Sequence, residues 1–155
     1  MLATLLSPLA FVPSCIAVMK IADQVRFGVF QYAGVDAIWE SHVRQWLPPA
    51  AKEVTVRQHR HGFEAKYTIS KAELDAWHDA QWRRSDGRAA NQRKAPEKLS
   101  ANRANRVMEQ WFAEASWSPL TEPWEYEGPH ASNGAGSMIW FDEAECLAYQ
   151  RSWYW

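Results

Sequence analysis

The segment KEVTVRQHRHGFEAKYTIS, residues 52–70, constrains the fold more than any other part of the chain. Val54 and Val56 alternate with polar residues, and after Gly62 the alternation resumes with apolar residues at 63, 65, 67 and 69. A period of two places every second side chain on the same face of a β-strand, so that one face is buried and the other meets water. Two such runs on either side of a glycine predict an antiparallel β-hairpin.

A helix is predicted directly after the hairpin, and a second one follows a basic loop. Ser70 begins the sequence SKAE, which is typical of a capping box between the side chains of Ser70 and Glu73. One side of this helix then carries Leu74, Trp77, His78 and Trp82. Ser100 is a candidate N-cap for the second helix, whose apolar stripe comprises Ala104, Val107, Met108, Trp111, Phe112 and Ala115.

Three short strands are predicted in the C-terminal part of the chain. Their sequences are WEYE (124–127), MIWFDE (138–143) and LAYQRSWYW (147–155), with the glycine-rich loop GPHASNGAGS (128–137) between the first two. The order of hairpin, two helices and three-stranded meander predicts a single α+β domain over residues 50–155. We expect an antiparallel sheet of about five strands, preceded by an N-terminal apolar helix.

The first nineteen residues, MLATLLSPLAFVPSCIAVM, carry no charged side chain. An apolar run of roughly 17–25 residues can cross a membrane as a helix, and prolines are better tolerated there than in water. We therefore expect residues 1–19 to be an apolar membrane anchor or leader that contacts lipid through residues 2–19. Four alternatives stay open: a cleaved signal peptide, a lipoprotein leader ending at Cys15, a start of translation at Met19, and a helix buried in the core.

Residues 20–47 continue with apolar side chains three and four positions apart, up to Pro48 and Pro49. That spacing predicts an amphipathic helix or stalk between the anchor and the domain. The expected location is the membrane of a bacterial cell envelope, or the cytoplasm if translation starts at Met19. The two cysteines, Cys15 and Cys146, offer neither a disulfide framework nor a zinc motif.

Composition limits the classes of partner. The formal net charge of −1 gives no overall attraction to nucleic acid, which is therefore not an expected partner. Residues 83–106 hold eight basic side chains, whereas residues 107–155 hold eight acidic ones and only Arg151 as a base. This complementarity alone could explain the pattern, and a solvated loop is the plainer interpretation. The alternative is contact with an anionic partner, for which the candidates are Arg83, Arg84, Arg88, Arg93 and Lys94.

Ten tryptophans in 155 residues are the unusual feature of the composition. Each indole can bury a large area and needs a partner for its N–H group, so an aromatic core is the plainer interpretation. The functional interpretation is a platform for a ligand or an unknown protein partner, formed by the last two strands and the glycine-rich loop. Its candidate residues are His130, Asn133, Trp140, Tyr149, Arg151, Trp153 and Trp155.

No pattern of catalytic or cofactor-binding residues is recognisable. His59 and His61 lie on the same side of a strand, but two imidazoles make only half of a zinc site, so no metal and no cofactor are expected. The loop NGAG joins two strands, whereas loops that bind phosphate lead into a helix. We therefore expect binding and not catalysis, with a carbohydrate-binding or enzymatic domain that uses exposed tryptophans as the alternative.

The run LPPAAKEVTVRQHRHGFEAKYTISKAELDAW resembles a pattern that follows a membrane segment in uncharacterised bacterial proteins. In that pattern a Leu-Pro turn precedes a hairpin and a capped helix, and here the matching positions are Leu47, Pro48, Val54, Val56, Gly62, Phe63, Tyr67, Ser70, Glu73, Leu74 and Trp77. The C-terminal run IWFDEAECLAYQRSWYW is similar to their closing hairpin. The resemblance implies an α+β topology and membrane association, and it implies no activity.

Overall fold

The computed structural model describes residues 27–85 and 87–154. Residues 1–26 are outside this range, so the predicted apolar helix and anchor of residues 1–19 lie outside the described residues. The strands are β1 Gly28–Gly34, β2 Lys52–His59, β3 Gly62–Thr68, β4 Glu97–Lys98, β5 Trp124–Glu127, β6 Gly136–Asp142 and β7 Leu147–Trp153. The α-helices are α1 Ser41–Arg44, α2 Lys71–Ser85 and α3 Ala101–Val107. Within the described residues, no helix combines the length and the apolar character that crossing a membrane requires.

All seven strands form one antiparallel sheet in the order β1-β2-β3-β7-β6-β5-β4. The predicted hairpin is confirmed as β2 and β3, and the predicted meander is confirmed as β5, β6 and β7. The prediction of about five strands is wrong, because it does not include the two edge strands, β1 and β4. The strand β4 has only two residues, too few to produce a periodic signal.

The predicted amphipathic helix over residues 20–47 is wrong where the structure describes that segment. Residues Gly28–Gly34 form the edge strand β1, in which Phe30 pairs with Val56 and Tyr32 with Val54. A 3₁₀ turn, Val35–Ala37, and the one-turn helix α1 follow. Four apolar side chains in and beside these turns enter the larger of the two hydrophobic cores, so the domain includes residues before position 50: Val35, Ile38, Val43 and Leu47.

The sheet separates two hydrophobic cores, because alternate residues of each central strand point to opposite faces. On β6, Ile139 and Phe141 join the larger core, whereas Trp140 joins the smaller one. The larger core also contains Leu74 and Trp77 of α2. The smaller core is closed by helix α3 and the segment after it, with Leu99, Met108, Phe112, Leu120 and Tyr149.

The two predicted helices differ in how they begin and end. Helix α2 has the predicted capping box, since the N–H of Glu73 donates to Oγ of Ser70 and the N–H of Ser70 donates to Oε2 of Glu73. Ser100 stands at the N-cap of α3, but its side chain makes no capping hydrogen bond, so that part of the prediction is wrong. Helix α3 continues into a π-helical segment, Met108–Phe112.

Gly62 is required by a close approach between strands. Its φ of 149° lies in a region that residues with a Cβ rarely adopt. A Cβ at this position would overlap the carbonyl oxygen of Ser152 on β7. The glycine that divides the two alternating runs therefore also lets β3 pair closely with β7.

Candidate functional site

A cavity of about 500 Å³ lies between helix α3 with its π-helical continuation and the face of the sheet formed by β5, β6 and β7. This size is within the roughly 300–1,000 Å³ that is usual for sites of small ligands. We call it the aromatic cavity, and its lining consists of Arg103, Arg106, Val107, Gln110, Trp111, Glu125, Met138, Trp140, Arg151 and Trp153.

The register of β6 and β7 brings three of the predicted surface residues to this cavity. Met138 pairs with Arg151, and Gly136 pairs with Trp153. Residues 136, 138 and 140 of β6 lie on the same face of the sheet, so Arg151 and Trp153 of β7 share that face with Trp140. Gly136 leaves the space that the Trp153 ring occupies, because a Cβ there would lie 2.9 Å from the Trp153 ring. Trp140, Arg151 and Trp153 therefore all line the aromatic cavity.

Both sheet tryptophans of the cavity have their N–H groups satisfied within the protein. Trp140 Nε1 donates to Glu125 Oε2 at 2.7 Å, and Trp153 Nε1 donates to the carbonyl oxygen of Gly134 at 2.6 Å. Trp140 is buried, and Trp153 is half-buried. Because these bonds hold the rings in place, the half-buried Trp153 forms a preformed apolar wall, and Trp140, which is only 2% exposed, adds little surface of its own.

Positive charge exceeds negative charge around the cavity. Arg103 pairs with Glu97 at 2.5 Å and with Glu125 at 3.5 Å. The guanidinium of Arg151 lies over the Trp111 ring, 3.7 Å from its centre. Within the described part of the chain, Arg106 and Arg151 have no carboxylate within salt-bridge distance.

The other residues of the predicted surface lie elsewhere. Tyr149 is fully buried, packs against Phe112 and Trp117, and donates to the carbonyl oxygen of Ser118 at 2.7 Å. Its burial raises the pKa of the hydroxyl to about 12. Tyr149 thus supports the cavity from the core beneath it. Trp155 lies outside the described residues.

The glycine-rich loop is held by local contacts. His130 makes an edge-to-face contact with Trp153, with 5.4 Å between the ring centres. Asn133 accepts a hydrogen bond from the N–H of Ala135 through Oδ1. The loop therefore stands behind Trp153 and positions it, and neither His130 nor Asn133 lines the aromatic cavity.

The predicted anionic-partner loop forms many contacts within the domain. Arg93 pairs with Asp79, and Lys94 pairs with Glu127 at 2.9 Å. Arg84 and Arg88 donate to backbone carbonyls near the C-terminus of α2, where cations are favoured, and Arg83 is exposed. These contacts support the plainer interpretation of the basic stretch, and binding of an anionic partner by this loop stays a prediction.

The imidazole of His59, in the hairpin, is engaged with protein groups. His59 Nδ1 accepts the backbone N–H of His61, and Nε2 lies 3.1 Å from Oε1 of the buried Glu64. A ring that accepts at Nδ1 can donate from Nε2 to Glu64, so both ring nitrogens of His59 have partners within the protein. Among the described residues, no group of three or more His, Cys, Asp or Glu side chains could hold a metal ion.

Sequence reasoning missed the helical wall of the cavity. Val107 and Trp111 pack against the smaller core, as the predicted apolar stripe requires, but they also line the cavity edge together with Arg103, Arg106 and Gln110. The signal that could have identified them is their spacing of three to four residues. That spacing places arginine, glutamine and tryptophan on one side of the helix beside the apolar stripe.

No protein-family model matches the chain, and neither a curated protein nor a solved structure matches it significantly. The resemblance to uncharacterised bacterial membrane proteins therefore stays a prediction.

Proposed function

We propose that this protein is a non-catalytic binding module whose aromatic cavity holds a small molecule with a planar, apolar body. The observation that carries the proposal is the apolar wall formed mainly by Trp153, with a small exposed part of Trp140. Both indole N–H groups are bonded within the protein, so the rings offer the ligand mainly apolar surface. Pockets with apolar walls and a few fixed polar groups are typical of small-molecule sites.

The chemistry of the lining favours binding over catalysis. Its ionisable side chains are the three arginines and Glu125. One oxygen of Glu125 accepts from Trp140, and the other lies 3.5 Å from Arg103. A carboxylate held in this way is poorly placed to transfer protons, and the arginines stay protonated at neutral pH.

The π-helical segment is a second feature that supports a binding role. Such wide turns within helices are found frequently at functional sites. Here the segment Met108–Phe112 contributes Trp111 to the cavity, while Phe112 from the same turn enters the core. The irregular turn thereby distributes neighbouring aromatic side chains between the core and the site.

We also propose that the module works at the membrane of a bacterial cell envelope. The support is the uncharged apolar run of residues 2–19, which the anchor hypothesis places in lipid. The cavity would then be presented beside the membrane by the domain that begins at β1.

The proposed function can be tested by blocking the cavity. Purified full-length chain in mild detergent would be titrated calorimetrically with indole, indole-3-acetate and cellobiose. The Gln110→Trp variant adds a large ring to the cavity lining, and Asn105→Trp adds the same ring at an exposed position of α3 outside it. We expect at least one aromatic probe to bind, Gln110→Trp to abolish its binding and Asn105→Trp to retain it.

Two results would contradict the proposal. One is a lack of binding by both aromatic probes. The other is aromatic binding that Gln110→Trp leaves unchanged. Binding of cellobiose alone would replace the proposal with the carbohydrate-binding alternative.

A further inference from the structure

Arg151 differs from the other half-buried arginines of the described chain. Three arginines in that range are half-buried: Arg57, Arg103 and Arg151. Arg57 pairs with Glu64 and Glu114, and Arg103 pairs with Glu97 and Glu125. Arg151 has no carboxylate within salt-bridge distance among the described residues. Because removing a cation from water costs free energy unless it is paired, this exception requires an explanation.

The acid nearest to Arg151 in the sheet is already engaged. Glu64 pairs with Arg151 in the register of β3 and β7. However, its Oε2 lies 3.1 Å from Arg57 and its Oε1 lies 3.1 Å from His59. Burial lowers the pKa of the Arg151 guanidinium, and the attraction of Glu64 offsets this only in part. The charge of Arg151 therefore remains available to an external anion.

The contact with Trp111 leaves Arg151 suitably placed for such an anion. The guanidinium lies over the indole at 3.7 Å from the ring centre, which is a cation–π contact. A stacked guanidinium keeps its N–H groups in the plane of the fork, where they can bind a carboxylate through two parallel hydrogen bonds. Trp111 thus holds Arg151 in place without using its donors.

We propose that the ligand of the aromatic cavity is a small aromatic carboxylate. Its ring packs against Trp153 and the small exposed part of Trp140, and its carboxylate pairs with Arg151, with Arg106 adding a second positive charge at the exposed edge. This inference rests on the proposed function and specifies its ligand. It follows from charge complementarity, since Arg103 and Glu125 neutralise each other and leave two positive charges around an apolar wall.

Three probes that share the indole ring and differ in charge provide the test. Calorimetric titration of the full-length chain at neutral pH would compare indole-3-acetate, the neutral indole-3-acetamide and the cationic tryptamine. We expect the acid to bind at least about ten-fold more tightly than the amide, the affinity ratio that one well-formed charged hydrogen-bonded pair can supply, and tryptamine to bind least. Added salt should reduce the difference between acid and amide.

Arginine variants connect the preference to the proposed residues. Arg151→Met keeps an apolar stem of similar length. It should lower the affinity for indole-3-acetate to the affinity for indole-3-acetamide. Arg151→Lys keeps the charge without the fork and should give an intermediate affinity. The exposed Arg106→Gln should cause a smaller loss, and Arg44→Gln, at an exposed position outside the cavity, should cause none. Circular dichroism would verify that each variant is folded, and Arg106→Gln tests the charge requirement even if Arg151 variants unfold.

The outcomes separate this inference from the proposed function. Equal affinity for acid and amide, or tighter binding of tryptamine, would overturn the carboxylate assignment while aromatic binding stands. A lack of binding by all three probes would overturn both. Binding of inorganic phosphate as tight as that of indole-3-acetate would show that charge alone is recognised, and would also overturn the assignment of an aromatic ligand.

Discussion

At the scale of single residues, Gln150 links three parts of the larger core. Its Oε1 accepts from the hydroxyl of Tyr67 at 2.8 Å, and its Nε2 donates to the carbonyl oxygen of Trp46 at 2.7 Å. Both side chains of the first pair are fully buried. This network fixes the segment before β2 against the centre of the sheet.

Removing one partner of that buried pair should be costly. In Tyr67→Phe the Oε1 atom of Gln150 loses its donor in a site that water does not reach. We expect the free energy of unfolding to fall by about 1–3 kcal/mol, measured by urea denaturation. A change below about 0.5 kcal/mol would show that the hydroxyl is not needed to satisfy Gln150.

His78 gives the stability a defined dependence on pH. The imidazole is buried, and its Nε2 lies 2.9 Å from the carbonyl oxygen of Glu127. Burial lowers the pKa of His78 from its ordinary value of 6.5. The unfolded chain therefore binds more protons than the folded one as the pH falls below 6.5, so the folded state loses stability in that direction.

The direction in which stability changes with pH can be checked with a variant of His78. The free energy of unfolding should decrease between about pH 7.5 and about pH 5.5, and His78→Gln should show a shallower decrease because that titrating group is gone. Urea denaturation at both pH values measures the difference, whatever stability the variant loses overall. An equally steep decrease in the variant would assign the effect to other groups.

At the scale of elements, helices α2 and α3 are each preceded by a serine but differ in their N-terminal capping hydrogen bonds. Ser70 and Glu73 complete a capping box at α2, whereas Ser100 makes no side-chain capping bond at α3. We expect Ser70→Ala to lower the free energy of unfolding by about 1 kcal/mol and Ser100→Ala to change it by less than half of that. Equal losses in chemical denaturation of the two variants would contradict this assignment.

The elements also show what local patterns can and cannot predict. The hairpin was predictable because apolar residues recur with a period of two in each of two runs, Val54 and Val56 before the turn and Phe63 and Ala65 after it, and a helix does not have this period. The strand β1 was not, because its apolar residues continue a spacing of three and four into the following segment. Its conformation is set by pairing with β2, a long-range contact that overrides local periodicity.

Part of the aromatic cavity was predictable from the alternation of side chains along its strands. Trp140, Arg151 and Trp153 come from two neighbouring strands whose alternation places them on one face, so their convergence followed from the sequence. The helical wall did not, because it depends on how α3 packs on the sheet and on the π-helical turn. The burial of Tyr149 likewise depends on Trp117 and Phe112, which no local pattern connects to it.

At the scale of the whole molecule, the basic stretch pairs with the acidic C-terminal part of the chain. Lys94 pairs with Glu127, Lys98 with Glu122 and Arg103 with Glu125. These pairs join the long connection between α2 and β5 to the strand β5 and the loop before it. The charge asymmetry of the sequence thereby has an internal explanation that does not require an anionic partner.

Membrane association is a prediction about the whole chain. If residues 2–19 are an anchor, a C-terminally tagged full-length chain expressed in bacteria should remain in the membrane pellet after carbonate extraction. A chain that starts at Met19 should be recovered in the supernatant and serves as the control. Recovery of the full-length chain in the supernatant would contradict the anchor.

The central claim is that the aromatic cavity binds an aromatic acid. The most direct test is to locate by NMR where such an acid contacts the protein. Indole N–H signals of the ¹⁵N-labelled full-length chain, assigned by Trp→Phe substitution, would be followed by NMR during titration with indole-3-acetate. A ligand in the aromatic cavity should shift the signals of Trp111, Trp140 and Trp153 and leave those of Trp39 and Trp77 in place, since the latter two lie outside it. Shifts confined to tryptophans outside the cavity, or no shifts at all, would contradict the account.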